Sequence, residues 1–131
     1  MCAGKGTKHL PRYHQSTPET VWENYGFTKE EAEKGGLNPQ MFNSFLDGTK
    51  SALEMAAVAN SCDLSPPTDG LEFPPCATHD LPTVLRPRED GGHLEKKGTV
   101  EVVSSLELDG RVVTNDIRFG IFVVVEGELC A

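Results

Sequence analysis

The sequence lacks paired cysteines. Its four, Cys2, Cys62, Cys76 and Cys130, form no CxxC spacing, which argues against a disulfide scaffold and for reduced thiols. A zinc site from Cys76 and His79 would have to recruit remote ligands in place of the usual paired spacing. Long apolar runs are missing too. None approaches the roughly 18 residues of a membrane span, and no signal-peptide pattern opens the chain. Positive charge is scarce, with 12 Lys and Arg against 20 Asp and Glu, a formal net charge of −8. That balance excludes nucleic acid and anionic membranes as main partners. There is no GxGxxG and no full series of βαβ units, so no whole dinucleotide-binding unit is expected. These absences leave a soluble, cytoplasmic protein. At 131 residues, 37% hydrophobic and 24% charged, it has the size and composition of a single globular domain.

The most informative stretch that is present is Phe42–Cys62, FNSFLDGTKSALEMAAVANSC. It turns at Asp47-Gly48 and then becomes the longest helical pattern of the chain. Between Ala52 and Ala59 only Glu54 is polar, the pattern of a helix buried on most sides. Lys50, Glu54, Ala57 and Ser61 share one stripe at three- and four-residue spacing. Lys50 stands in the first turn, where the helix dipole disfavours a cation, and it precedes Glu54 in the weaker orientation for such a pair. Thr49 and the free first-turn N–H groups add anion-binding capacity. Asp47, Thr49, Lys50 and Glu54 therefore read as a polar site at the mouth of a buried helix. The structural alternative is a capped core helix whose Lys50 reaches water beside Glu54.

Around this helix the chain alternates short elements and loops. Met1–Lys8, MCAGKGTK, reads as the tail of a strand entering a glycine loop, where Lys5, Thr7 and Lys8 could meet an anion. The GxxxxGK[ST] spacing of a phosphate loop is absent. Thr17-Pro18-Glu19 starts a helix that runs to Tyr25, with Val21, Trp22 and Tyr25 inward and Gly26 as the stop. Thr28 and Glu31 form a capping box for a short charged helix ending at Gly35-Gly36. Asn38-Pro39 marks a turn, and Gln40–Leu46 is strand-like. Asp63–Pro75 is a proline-rich wrapping loop. His79 beside Asp80 suggests an acid–base pair, although sequence neighbours usually point apart and a surface or capping role competes.

Thr99–Ser104 begins a strand, continued by Leu106–Leu108. Asp109-Gly110 is a hairpin turn and Arg111–Thr114 the returning strand. Ile117–Val125 is the most apolar strand and is expected in the centre of the sheet. Helices first and strands later predict an α+β domain, with a mixed or antiparallel sheet and helices packed on one face.

GKGTK at 4–8, SFLDGTK at 44–50, the following helix with Glu54 and Ala59-Asn60, and the late GG…V…GIFVV pattern together resemble one family. It is that of the NAD(P)-dependent oxidoreductases like 1-deoxy-D-xylulose 5-phosphate reductoisomerase or homoserine dehydrogenase that carry a C-terminal SAF domain. The resemblance implies that residues 1–131 are the central catalytic, substrate-binding domain of a larger enzyme. A nucleotide-binding domain outside this chain would supply NAD(P), and the SAF domain would follow. The implied substrate is a small phosphorylated or acidic carbonyl or hydroxy compound.

On that view Lys50 stabilises the developing alkoxide, and Asp47 or Glu54 positions a proton. Lys5, Thr7, Thr49 and Asn60 bind substrate. Asp47 with Glu54 and water could also take magnesium or manganese. The isolated chain should then bind no NAD(P)H and be inactive alone. A reading of a different class is a non-catalytic binding or oligomerisation module that pairs through the Ile117–Val125 strand. Under either reading a homo-oligomer is expected.

Overall fold

The glycine-rich start of the chain is the centre of the sheet. In a computed structural model that describes residues 1–118 and 120–127, β1 (Cys2–Thr7) lies between two other strands. It runs parallel to β2 (Thr99–Ser104) and antiparallel to β3 (Ile121–Val124), in the order β2-β1-β3. The stretch expected as a strand tail is thus a complete strand, and the sheet is mixed. Successive side chains of a strand point to opposite faces, so Gly4 and Gly6 share one face and Ala3, Lys5 and Thr7 the other. A β-carbon on Gly4 would run into the Glu101 carbonyl and stand 2.6 Å from Cζ of Phe122; one on Gly6 would run into the Ile117 carbonyl. The glycines permit that close covering. The Gly6 N–H donates to the Gly120 carbonyl at 3.0 Å.

Between β1 and β2 run five helices: α1 (Val21–Tyr25), α2 (Lys29–Lys34), α3 (Pro39–Leu46), α4 (Thr49–Cys62) and α5 (Leu81–Val84). The capping box of α2 is present, with the Glu31 N–H donating to the Thr28 hydroxyl at 3.1 Å. Gly26 ends α1 in the left-handed region at φ 78°, a conformation that glycine adopts without penalty. Gln40–Leu46, expected as a strand, is helix. Asn38 Oδ1 accepts the N–H groups of Gln40 and Met41, and Pro39 occupies the first turn; that capping outweighs the strand-like residues that follow.

α4 packs on the face of β1 and β2 that carries Lys5. Met55 and Ala59 meet Val100, Val102 and Phe73 there. The helix buries one stripe only, Ser51, Met55 and Ala59, and Leu53 is 69% exposed. Its many alanines gave an all-round apolar pattern that the sheet covers on a single side. The opposite face is covered by Leu81 of α5, Leu85, Leu94 and Cys76, against Cys2, Val103 and Phe122. A third cluster joins α1, α2 and α3 through Val21, Trp22, Ala32 and Leu46 to Leu10, Tyr13 and Leu106. Helices and a small mixed sheet therefore make the expected α+β domain, but helices cover both faces of the sheet, α4 one and α5 the other, where a single covered face was expected.

The apolar segment placed at the sheet centre from sequence is instead β3, beside β1 at the end of the strand order. The expected hairpin at 106–114 is reduced to its turn and a single bridge between Leu106 and Val112. The loop after α4 is a strap along β2: Ser65 bridges Thr99 at one end and Pro75 bridges Ser104 at the other. Cys2 and Cys76 are buried thiols, pushed up by burial to about 12 and about 11, which keeps them protonated and unreactive. Cys130 lies outside the described residues. Among those described, no helix is long and apolar enough to cross a membrane.

Candidate functional site

Strand alternation aims Lys5 at α4, and helix periodicity brings Lys50 and Glu54 to the flank of α4 that meets it. Glu54 receives both lysines. Its Oε2 lies 2.7 Å from the Lys5 ammonium and its Oε1 lies 3.7 Å from that of Lys50. The Lys5 side chain is only 18% exposed, whereas Lys50 is half-exposed and sits 5.4 Å over the Phe45 ring, a cation–π contact. Two ammonium groups on one carboxylate leave a local excess of positive charge in a chain of net charge −8. Ile121 stands opposite Lys5 in the β1–β3 register and is exposed, so it forms an apolar border to the cluster.

Asp47 and Thr49 are in a different place. At about 100° per residue, Thr49 and Ala52 project from the other flank of α4 from Lys50 and Glu54. Gly48, at φ 89°, turns α3 directly into α4. Asp47 caps that junction: its Oδ1 accepts the Thr49 N–H at 2.9 Å and its Oδ2 accepts from the Asn43 amide at 3.3 Å. Asp47, Gly48, Thr49 and Ala52 then line an open cavity of about 290 Å³ with His14, Leu71 and Phe73. The structure thus separates the sequence-predicted constellation into a Lys5–Glu54–Lys50 cluster and an Asp47–Thr49 cavity.

Two histidines that the sequence reading passed over belong to the cavity side. His14 Nδ1 lies 3.0 Å from the Asp47 carbonyl. A carbonyl accepts only, so Nδ1 carries a proton, and in the neutral imidazole Nε2 is the acceptor. His9 is buried, stacked on Phe73 at 4.1 Å, with the His14 ring 4.6 Å away. Burial first and His14 second lower its pKa to about 4, against a bond to the Leu46 backbone that acts the other way. His9 is therefore neutral at pH 7. His14 sits in a 3-10 helix, Pro11–Gln15, and lines the cavity, while His9 lies behind it against the Phe73 ring; both are placed by the fold of the segment after β1.

The remaining expected residues do not join these groups. Thr7 ends β1, and its carbonyl accepts the Ser105 N–H at 2.8 Å. Asn60 is exposed on α4, roughly 9 Å further along the axis than Glu54 and on a different side. Asp47 and Glu54 share no cation: the oxygens of one are engaged by Asn43 and Thr49, those of the other by two lysines. No group of three or more His, Cys, Asp or Glu that could hold a metal is present among the described residues. His79 and Asp80 do approach, at 3.6 Å, on the exposed surface. Cys76 is buried in the core and its thiol donates to the Ala77 carbonyl.

Compared with known protein families, residues 1–130 match the model of the catalytic domain of the oxidoreductase DRL. No curated protein matches the chain.

Proposed function

The chain belongs to the family of catalytic domains of the oxidoreductase DRL, and from that premise we propose that it binds and orients a small carbonyl or hydroxy substrate for NAD(P)-dependent hydride transfer. The observation that carries this reading is the Glu54 carboxylate holding Lys5 and Lys50 together on the flank of α4. Hydride transfer to a carbonyl builds negative charge on its oxygen, and a fixed cation beside that oxygen lowers the barrier. Lys5 is the better oriented of the two cations, because its stem is buried between strand and helix. Lys50, looser and more exposed, is placed to meet a phosphate or carboxylate of the substrate. Glu54 keeps the two ammonium groups apart from each other and aimed at one spot. Across the first turn of α4, on its other flank, the cavity bordered by His14, Thr49 and Asp47 is assigned to the end of the substrate remote from the carbonyl.

The nicotinamide cofactor supplies the hydride, and this chain does not fit it. β1 leads into a 3-10 helix, Pro11–Gln15, and its glycines are covered by Phe122 and Ile117. They form no turn open to a pyrophosphate. The carrier is assigned to a nucleotide-binding domain of the intact protein, with a SAF domain as the further partner that the reductoisomerase-like and homoserine-dehydrogenase-like resemblance implies.

The test is single-turnover oxidation of NADPH and NADH by the intact protein, against phosphorylated hydroxyketones and carboxylate-bearing aldehydes. Turnover of a member of this panel, lost on Lys5→Met, is expected. An unchanged rate in the folded Lys5→Met protein would overturn the assignment. A second reading, a module that self-associates, is supported by the exposed side chains of Ile121 and Val123 on β3 and of Val125 just past it and is compatible with the first.

A further inference from the structure

β2 borders the sheet, and the strap after α4 covers its outer edge. The two ends of the strap are joined to β2 by main chain. The Val100 N–H donates to the Ser65 carbonyl at 3.2 Å, and the Ser104 N–H to the Pro74 carbonyl at 2.8 Å. Between these points the main chains part, and one side chain fills the gap. Glu101 is 1% exposed. Its Oε1 accepts the N–H of Val102 at 2.9 Å and that of Glu72 at 3.0 Å. Burial pushes this carboxyl up, and the backbone N–H groups around it oppose the shift.

A buried carboxyl is an expensive way to close a strand edge. What it holds is unusual as well. Phe73 has φ 52°, a left-handed conformation that is strained for a non-glycine residue and persists only where its surroundings enforce it. The carboxylate of Glu72, immediately before it, accepts from Arg88 at 3.4 Å and has the His93 ring beside it. With the residue before it fixed in this way, the Phe73 ring stacks on His9, meets His14 edge-on at 5.9 Å, and forms a wall of the 290 Å³ cavity at the start of α4.

We propose that Glu101 is a positioning residue: its carboxyl clamps the main chain at the Glu72 N–H, next to Phe73, and so holds the Phe73 ring over His9 as the wall of the cavity beside α4. The clamp itself stands on this geometry. Its consequence for substrate rests on the reading, given above, that the cavity receives part of the substrate.

The experiment is a pH titration of the histidine resonances of the intact, 15N-histidine-labelled protein, for wild type, Glu101→Ala and Glu101→Gln. The groups facing His9 are His14, the Phe73 ring and the Leu46 carbonyl. Losing the clamp lets water reach the imidazole, so the Ala variant should titrate His9 higher by about one pH unit or more. Gln keeps an acceptor oxygen at the same reach and should leave His9 close to its wild-type value. Should the Ala variant fail to fold, Glu101→Thr keeps the strand preference with an oxygen too short to span the gap. A wild-type His9 titration in a folded Ala or Thr variant would overturn the clamp.

The same proteins are assayed with whichever compound of the panel above turns over fastest. A KM raised about tenfold, with kcat held within about twofold, supports the clamp acting on substrate. A shifted His9 with unchanged KM keeps the clamp and overturns only the placing of substrate in this cavity. If no compound of the panel turns over, the His9 titration still decides the clamp.

Discussion

Lys5 and Glu54 are 49 residues apart in the chain and 2.7 Å apart in the structure. The pair ties the central strand to the longest helix at the point where a second lysine, Lys50, reaches the same carboxylate. Two cations and one anion in this geometry satisfy more than packing requires, because α4 is already held to the sheet by Met55 and Ala59.

The two lysines should separate by experiment. Lys5→Met removes the nearer, more buried partner of a half-exposed carboxylate and should cost about 1 kcal/mol of stability. Lys50→Met removes an exposed partner at 3.7 Å and relieves a cation at a helix start, so stability should stay within about 0.5 kcal/mol. In the intact enzyme both should slow single-turnover hydride transfer on the order of 100- to 1000-fold. Denaturation midpoints and single-turnover rates on the same preparations check this. A Lys50→Met protein with a clearly lowered midpoint and a normal rate would make Lys50 structural.

Gly6→Ala should destabilise by about 1–3 kcal/mol, since the new methyl meets the Ile117 carbonyl, a backbone atom that cannot turn aside. Gly35→Ala is the control. Its nearest neighbour would be 3.4 Å away and its φ is −77°, so stability should change by less than about 0.5 kcal/mol. Urea midpoints for the two proteins give the comparison. Equal midpoints would mean that the glycines of β1 are not packing residues.

How far the sequence led depends on which forces are local. The capping box at Thr28 and the Asp47-Gly48 entry to α4 are local signals, and both were legible. Asn38-Pro39 carries the same kind of signal for α3, but the pair suits a turn as well as a helix cap, and the bonds from Gln40 and Met41 to Asn38 Oδ1 decide for the cap. The centrality of β1 was hidden, because glycines depress strand preference and only Phe122 and Ile117, more than a hundred residues away, explain them. The stripe joining Lys50 and Glu54 was legible from helical spacing. Its completion by Lys5 came with the resemblance, and the departure of Asp47 and Thr49 to the other flank follows from the angle at Gly48. His9, His14 and Phe73 could not be connected from sequence, since the strap and Glu101 that assemble them are long-range features.

His9 makes acid stability testable. Its folded pKa, about 4, lies below the ordinary value of 6.5. The folded state therefore binds this proton more weakly than the unfolded chain. The stabilisation from neutral His9 is fully present above about pH 6.5 and is lost as pH falls through about 4, by up to about 3 kcal/mol. Glu101, shifted upward, contributes the opposite slope, and that contribution is common to both proteins compared. His9→Gln should thus show a flatter loss of stability between pH 6.5 and 4 than wild type in urea denaturation. Parallel pH curves would mean that His9 is not held neutral in the folded protein.

The border strand β3 carries the last prediction. Ile121 and Val123 are 85% and 62% exposed, on the face of the sheet that carries Lys5, and Val125, just past the strand, is 69% exposed. Neither lysine nor proline interrupts Ile121–Val124, the devices by which strand edges are commonly protected. Two copies related by a two-fold axis could align β3 antiparallel to itself, which places these β-branched side chains across from one another and extends the sheet. Self-association is therefore expected, and Val123→Lys should abolish it. The substitution sets like charges at the centre of the paired strands, while its effect on the monomer should stay within about 0.5 kcal/mol at so exposed a position. Sedimentation of both proteins over a wide concentration range is the measurement. A wild-type protein that remains monomeric throughout, or a Val123→Lys protein that associates equally well, would remove β3 as the contact.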